Sequence, residues 1–242
     1  MSTECVERLL AHRKVVGAYE LVFTGDLLIG DLLHDDPFAF LLAASLDRGM
    51  KAETAWRIPA KIRNVLGHLD PARIATMSAD EVLAVLKRID GKPRYITDAV
   101  RTIMQVARAV TDEYAGDARN LWNGQTATEI KARLISFHGV ASGIASMVVN
   151  LLASLKEIEF TEKDYRRMDV KPDSQLRRVF ERLGFCEAGA TERQVVDAAR
   201  RLHPSYPGAL DAPAWHIGRK WCHMTQPDCP GCPLLDVCPK RL

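Results

Sequence analysis

The sequence predicts an all-α protein. Three observations carry this expectation: strand-type alternation is nearly absent, helix start signals recur, and apolar residues repeat at helical spacing behind them. Asp36-Pro37 supplies a cap and first turn for the apolar run Phe38 to Leu46. Ser78-x-x-Glu81 is a capping box, each side chain satisfying the other residue's backbone N–H, and it opens onto Val82, Leu83, Val85 and Leu86. Tyr95 to Tyr114 is a long periodic helix closed by Gly116. A second box, Thr126-x-x-Glu129, opens Ile130 to Phe137, and Ile144 to Leu155 follows after a short turn. Lys156 to Lys171 is dense in charge and reads as a surface loop or short helix. Asp173 caps the next helical run, and Thr191-x-x-Gln194 opens Val195 to Leu202. No internal repeat or low-complexity linker interrupts these elements.

The length suits one substantial domain or two small ones sharing a groove. A net charge of +2 does not by itself announce a nucleic-acid partner, so any such surface must come from local clustering of Lys and Arg. No apolar run approaches the roughly 20 residues that span a bilayer, and Met1 to Lys14 lacks a signal-peptide core. A cytoplasmic protein with no membrane partner is expected.

Four of the six cysteines crowd into Cys222-x6-Cys229-x2-Cys232-x5-Cys238. Such crowding reads as a metal site rather than a secreted disulfide framework. Four thiolates on irregular backbone can wrap an iron–sulfur cluster, whereas zinc sites usually pair two Cys-x2-Cys knuckles and this segment has one. Cys5 and Cys186 read as small buried hydrophobes. A second constellation is the turn His138-Gly139-Val140-Ala141-Ser142-Gly143 between two helical runs. Amides at the start of the second helix, backed by its dipole, suit a phosphate without side-chain charge. An ordinary helix–helix connection would look the same locally. Asp173 reads as a helix cap, and the dipole there favours its ionised form.

These segments resemble the iron–sulfur, helix-hairpin-helix DNA glycosylases typified by endonuclease III. The cysteine spacing matches that family's 4Fe-4S loop at all four positions, with Gly218-Arg219 just upstream. The turn is similar to its Leu-Pro-Gly-Val-Gly-Arg-Lys-Thr-Ala hairpin through Phe137, Gly139, Val140 and Ala145. Ala141 departs from the second glycine, and Gly143 occupies the position of the catalytic lysine. Asp173, Arg178 and Val179 match the Val-Asp-Thr-His-x-x-Arg-Val stretch whose Asp is catalytic, with Ser174 for Thr and Gln175 for His. Asp36-Pro37-Phe38 onward resembles the opening barrel helix, but Asp47-Arg48-Gly49-Met50-Lys51 lacks the DNA-inserting glutamine.

The resemblance implies a two-domain, endonuclease III-like all-α fold. A helical barrel spans 35–153, with its helix-hairpin-helix at 130–155. An iron–sulfur domain is built from 1–34 and 154–242, with the cluster loop at 222–238. It implies a 4Fe-4S cofactor on Cys222, Cys229, Cys232 and Cys238. The partner is double-stranded DNA carrying a damaged or mismatched base, held by a cytoplasmic, nucleoid-associated monomer. Gly139 to Gly143, Arg219 and Lys220 are expected at the DNA, Lys240 and Arg241 within reach of phosphates, and Arg48, Met50 or His138 as wedge or pocket residues. Asp173 is the expected catalytic residue of a monofunctional base-excision glycosylase, because Gly143 offers no amine. A bifunctional glycosylase/lyase would need a relocated lysine, with Lys156, Lys163 and Lys171 as candidates. A catalytically silent iron–sulfur DNA-binding protein and a zinc-binding structural module are the remaining rivals. Trp56, Trp122, Trp215 and Trp221 read as core.

Overall fold

The computed structural model describes residues 2–16, 24–156 and 158–240, and within these it contains helices and no strands. Arg241, expected near phosphate, lies outside the described residues. The helices are α1 (Ser2–Val16), α2 (Leu27–Asp35), α3 (Pro37–Ser45), α4 (Ala52–Ala55), α5 (Ile58–Leu66), α6 (Pro71–Ala75), α7 (Ala79–Arg88), α8 (Ile96–Asp112), α9 (Ala127–Ile135) and α10 (Ser142–Leu155). They continue as α11 (Glu162–Tyr165), α12 (Ser174–Arg182), α13 (Glu192–Leu202) and α14 (Asp211–Lys220), with 3-10 turns at Ala118–Leu121 and Pro207–Leu210.

The local start signals hold. Asp36 accepts from the amides of Phe38 and Ala39 with Pro37 in the first turn, and complete capping boxes stand at Ser78, Thr126 and Thr191. Gly116 adopts φ +79° and its N–H closes α8 onto Val110 O at 2.8 Å.

Burial sorts the side chains into two cores. The first runs from Leu32 to Leu152 and takes in Met168 and Ala212. Its two most deeply set helices are α3, buried from Phe38 to Ser45, and α10, buried from Ile144 to Leu152. A helix apolar on every side must be surrounded, so the other helices wrap these two. The second core joins Cys5, Val6 and Leu9 of α1 to residues from Val170 to Val237. The helix α2 buries Leu32 in the first core, so this part of 1–34 packs on the barrel side.

The segment 156–171 lies on the surface with a short helix, as expected, except at four positions. Asp164, Met168, Asp169 and Val170 are buried. Asp164 accepts from the Ala127 amide at 3.1 Å, helping to seat α9. Asp169 pairs with Lys131 at 3.3 Å and Arg200 at 2.8 Å. Charge density suggested solvent, but inside, the Ala127 amide and Thr161 satisfy Asp164, and opposite charges on α9 and α13 satisfy Asp169.

Candidate active site

The site grows from the two buried helices. The chain leaving α3 forms Asp47-Arg48-Gly49-Met50-Lys51, and the chain entering α10 is the hairpin turn. Both line one groove with Lys171, Pro172, Asp173, Trp215 and Arg219. Asp47, Gly143 and Asp173, far apart in sequence, thus share one cleft.

The hairpin turn is clamped from α8. His138 N–H donates to Gln105 Oε1 at 2.7 Å, Thr102 Oγ1 donates to His138 O at 2.8 Å, and His138 Nε2 lies 3.1 Å from Asp98 Oδ1. Gly139 has φ +77°, and the Arg48 guanidinium fills the space a Cβ there would take. Arg48 also donates to Thr102 Oγ1 at 3.3 Å, so this wedge candidate packs on the hairpin. Met50 rests against the first core, and the side chain of Val140 is buried. Gly139, Ala141 and Ser142 are exposed. Ala141 caps α10 with no side-chain hydrogen bond, leaving the helix's first amides unclaimed by a cap. Tyr95, half exposed, lies against Gly49, with φ +65° there and the ring 2.8 Å from where a Cβ would stand. Sequence reasoning used Tyr95 only as the start of a helix, and the glycine beside the groove alone hinted at a close neighbour.

Asp173 caps α12, accepting from the amides of Gln175 at 2.9 Å and Leu176 at 3.0 Å. Burial nonetheless pushes its pKa up, outweighing those hydrogen bonds and nearby Lys171. The helix dipole alone would act the other way. Lys171 Nζ donates to Asp47 Oδ2 at 2.8 Å. Burial would lower its pKa, but Asp47 foremost, then Asp173 and Asp211, raise it overall. Asp211 is buried beneath, accepting from the Lys171 N–H at 2.9 Å and Asn150 Nδ2 at 3.3 Å, and burial lifts its pKa to about 7. Lys156 instead donates to Leu33 O at 2.8 Å, and Lys163 is exposed on α11, so of the three lysines only Lys171 lines the groove.

Arg219 is less free than the sequence suggested. It pairs with Glu53 of α4, Nη1 to Oε2 at 3.1 Å, and lies over the Trp215 ring with its Cζ 5.0 Å from the centroid. The ion pair spans from α14 to the α4 side of the groove. Lys220 is exposed, with its amine 4.9 Å from the centre of the Trp221 ring. Trp56 and Trp122 belong to the first core, whereas Trp215 reaches the groove.

The helix that starts at Asp173 also holds the cysteine loop. Arg178 Nε donates to Cys222 O at 2.6 Å and Nη2 to Gly218 O at 2.8 Å. Arg182 Nη1 donates to Cys222 Sγ at 3.3 Å and His223 O at 2.6 Å. Cys222, Cys229, Cys232 and Cys238 line one pocket with Trp221. Burial raises the pKa of Cys232 and Cys238, and the neighbouring cysteines add to it. Among the described residues, no three His, Cys, Asp or Glu side chains are arranged to grip a single metal ion. Cys5 is buried with its thiol donating to Val237 O at 2.9 Å; Cys186 is half buried, which lifts its pKa to about 11.

No family model matches the sequence, and no curated protein does. Solved structures do. A trapped endonuclease III–DNA covalent intermediate superposes with TM-score 0.62 at 18% identity, covering 84% of each chain. A non-covalent endonuclease III–DNA complex gives TM-score 0.62 at 18% identity, covering 84% of this chain and 83% of the other. A thermostable thymine-DNA glycosylase gives 0.57 at 15% identity, covering 86% of each. Over most of its length, the chain therefore has the all-α fold of the helix-hairpin-helix glycosylases.

Proposed function

We propose that the protein is a DNA N-glycosylase of base-excision repair, and that Asp173 drives hydrolysis of the bond between a flipped-out base and its sugar. The observation that carries this is the placement of a half-buried carboxylate in a groove walled by the hairpin and α14. Extrusion brings a damaged or mismatched base of duplex DNA into such a cleft. As the C1′–N bond breaks, its electron pair leaves with the base and positive charge builds on the sugar. An ionised Asp173 stabilises that charge and takes a proton from the attacking water, while the departing base picks up a proton. Its raised pKa makes it a stronger base than an ordinary carboxylate.

Binding in this reading comes from the hairpin amides of Gly139 and of Ala141 to Gly143, the Val140 amide being held by Phe137 O, and is aided by Arg48, Lys220 and Lys240, with the protein acting as a cytoplasmic, nucleoid-associated monomer. The donor set of four cysteines around one pocket fits a 4Fe-4S cluster, which when bound would cross-link the loop rather than take part in base release. Protein purified without oxygen should be brown and carry about four irons per chain. One zinc and no iron would end the cluster assignment.

Asp173→Asn tests the mechanism, because Asn keeps the size and the helix cap but removes the charge. Folding and DNA binding should survive, while release from duplexes carrying uracil, mismatched thymine, alkylated purines or oxidised bases falls about 100-fold or more. Near-normal release would reduce Asp173 to a cap.

A further inference from the structure

The side chain that the hairpin lacks at position 143 is replaced in space by Lys171. A Cβ built on Gly143 would stand 3.6 Å from Lys171 Cγ and 3.6 Å from Pro172 Cδ, so the lysine stem runs past the opening the glycine leaves. Its Nζ sits 2.8 Å from Asp47 Oδ2 and 3.5 Å from Met147 Sδ. Three carboxylates face this one amine: Asp47 from the end of α3, Asp173 from the start of α12, and Asp211 from the start of α14.

We propose that Asp47 holds Lys171 as an ammonium and thereby silences an amine placed to react with an abasic sugar, so that the groove contains a latent lyase centre. The proposal rests on the glycosylase reading of the same groove. A nucleophilic amine needs its lone pair, and Lys171 loses it to a proton that Asp47 keeps in place. The Asp47 side chain is only 7% exposed, so surrendering that proton would strand a buried carboxylate beside a neutral amine. Burial by itself favours the neutral lysine; the ion pair reverses the preference.

Removing the Asp47 charge should uncover the amine. In Asp47→Asn, the neutral Nζ adds its lone pair to the C1′ aldehyde carbon of a ring-opened abasic deoxyribose. The carbonyl oxygen departs as water with both amine protons, leaving a C=N bond. Added borohydride delivers hydride to that carbon and solvent supplies a proton to nitrogen, giving a stable secondary amine between enzyme and DNA.

The test incubates wild type, Asp47→Asn, Asp47→Ser and Asp47→Asn/Lys171→Ala with duplex DNA containing one abasic site, with borohydride present. Either single variant should give at least about tenfold more covalent adduct than wild type, and the double variant none. In parallel, lysine Nζ signals are titrated by NMR. Lys171 should keep its proton beyond the ordinary lysine range in wild type and lose it at least about one pH unit lower without the Asp47 carboxylate. Wild-type trapping equal to that of the variants overturns the silencing. An unchanged titration in both variants overturns the hold of Asp47. A lowered titration without trapping overturns the placement of the amine. Failure of the glycosylase reading shows elsewhere, as absence of base release by wild type from every lesion duplex, and leaves the titration standing.

Discussion

Asp211 is a carboxyl group whose proton affinity is written into the fold. Burial raises its pKa to about 7, so the folded protein binds a proton there that the unfolded chain releases at ordinary carboxylate pH. A raised carboxyl weakens folding above the unfolded pKa, and the penalty is complete once pH exceeds the folded value. Asp211→Asn should therefore raise the melting temperature by several degrees at pH 8 and hardly at all near pH 4, an upper limit of about 4 kcal/mol. Equal effects at both pH values would show that the carboxyl is ionised throughout. Asp173 obeys the same sign with a catalytic readout. Base release should be lost as pH falls through its folded pKa, with the acid limb of kcat/KM lying above the ordinary carboxylate range. A limb at or below that range would mean that Asp173 is not the titrating group. Asp173 was legible as a cap because the signal lies within four residues. Its raised pKa was not, since burial comes from Asp47, Lys171 and α14, which no local pattern links to it.

At the scale of elements, the crossing of α12 and α14 fixes the distance between Asp173 and the cysteine loop. Gly218 lets the two backbones touch: a Cβ there would stand 3.0 Å from the Gln175 carbonyl oxygen and 2.9 Å from Gln175 Cβ. Gly218→Ala should force the helices apart, cost about 1–3 kcal/mol, and lower base release by displacing the start of α12. Thermal melts and single-turnover assays check both, and an unchanged melt would mean that the crossing relaxes freely. The capping boxes and the long helix α8 were readable because their rules are local. The burial of Asp169 within 156–171 was not, because its charge is matched by Lys131 and Arg200 on helices elsewhere in the chain.

At the scale of the molecule, a net charge of +2 coexists with a groove whose hairpin wall offers amides rather than a field of cations. Counterion release scales with the phosphates neutralised by Lys and Arg, at about −0.9 per phosphate in the log–log salt slope. With Arg48, Lys220 and Lys240 as the main cations, the slope should be shallow, roughly −2 to −4. Fluorescence anisotropy on a lesion duplex across salt concentrations measures it, and a slope steeper than about −6 would reveal a broader basic surface than this groove. The all-α architecture was legible from punctuation alone. The meeting of Asp47, Gly143 and Lys171 was not, because their neighbourhood is created by the ends of α3 and α10 converging.

The bond from Cys5 to the carbonyl of Val237 joins residues 232 positions apart. In synthesis α1 therefore precedes its packing partners by most of the described residues. Residues of the barrel core follow one another from Leu32 to Leu152 and can collapse as they emerge, while α1 waits for α13, the turn at Pro207–Leu210 and α14. At about 5–20 residues per second, that delay is roughly 10–50 s of synthesis. Through it, α1 carries apolar surface with no core to enter.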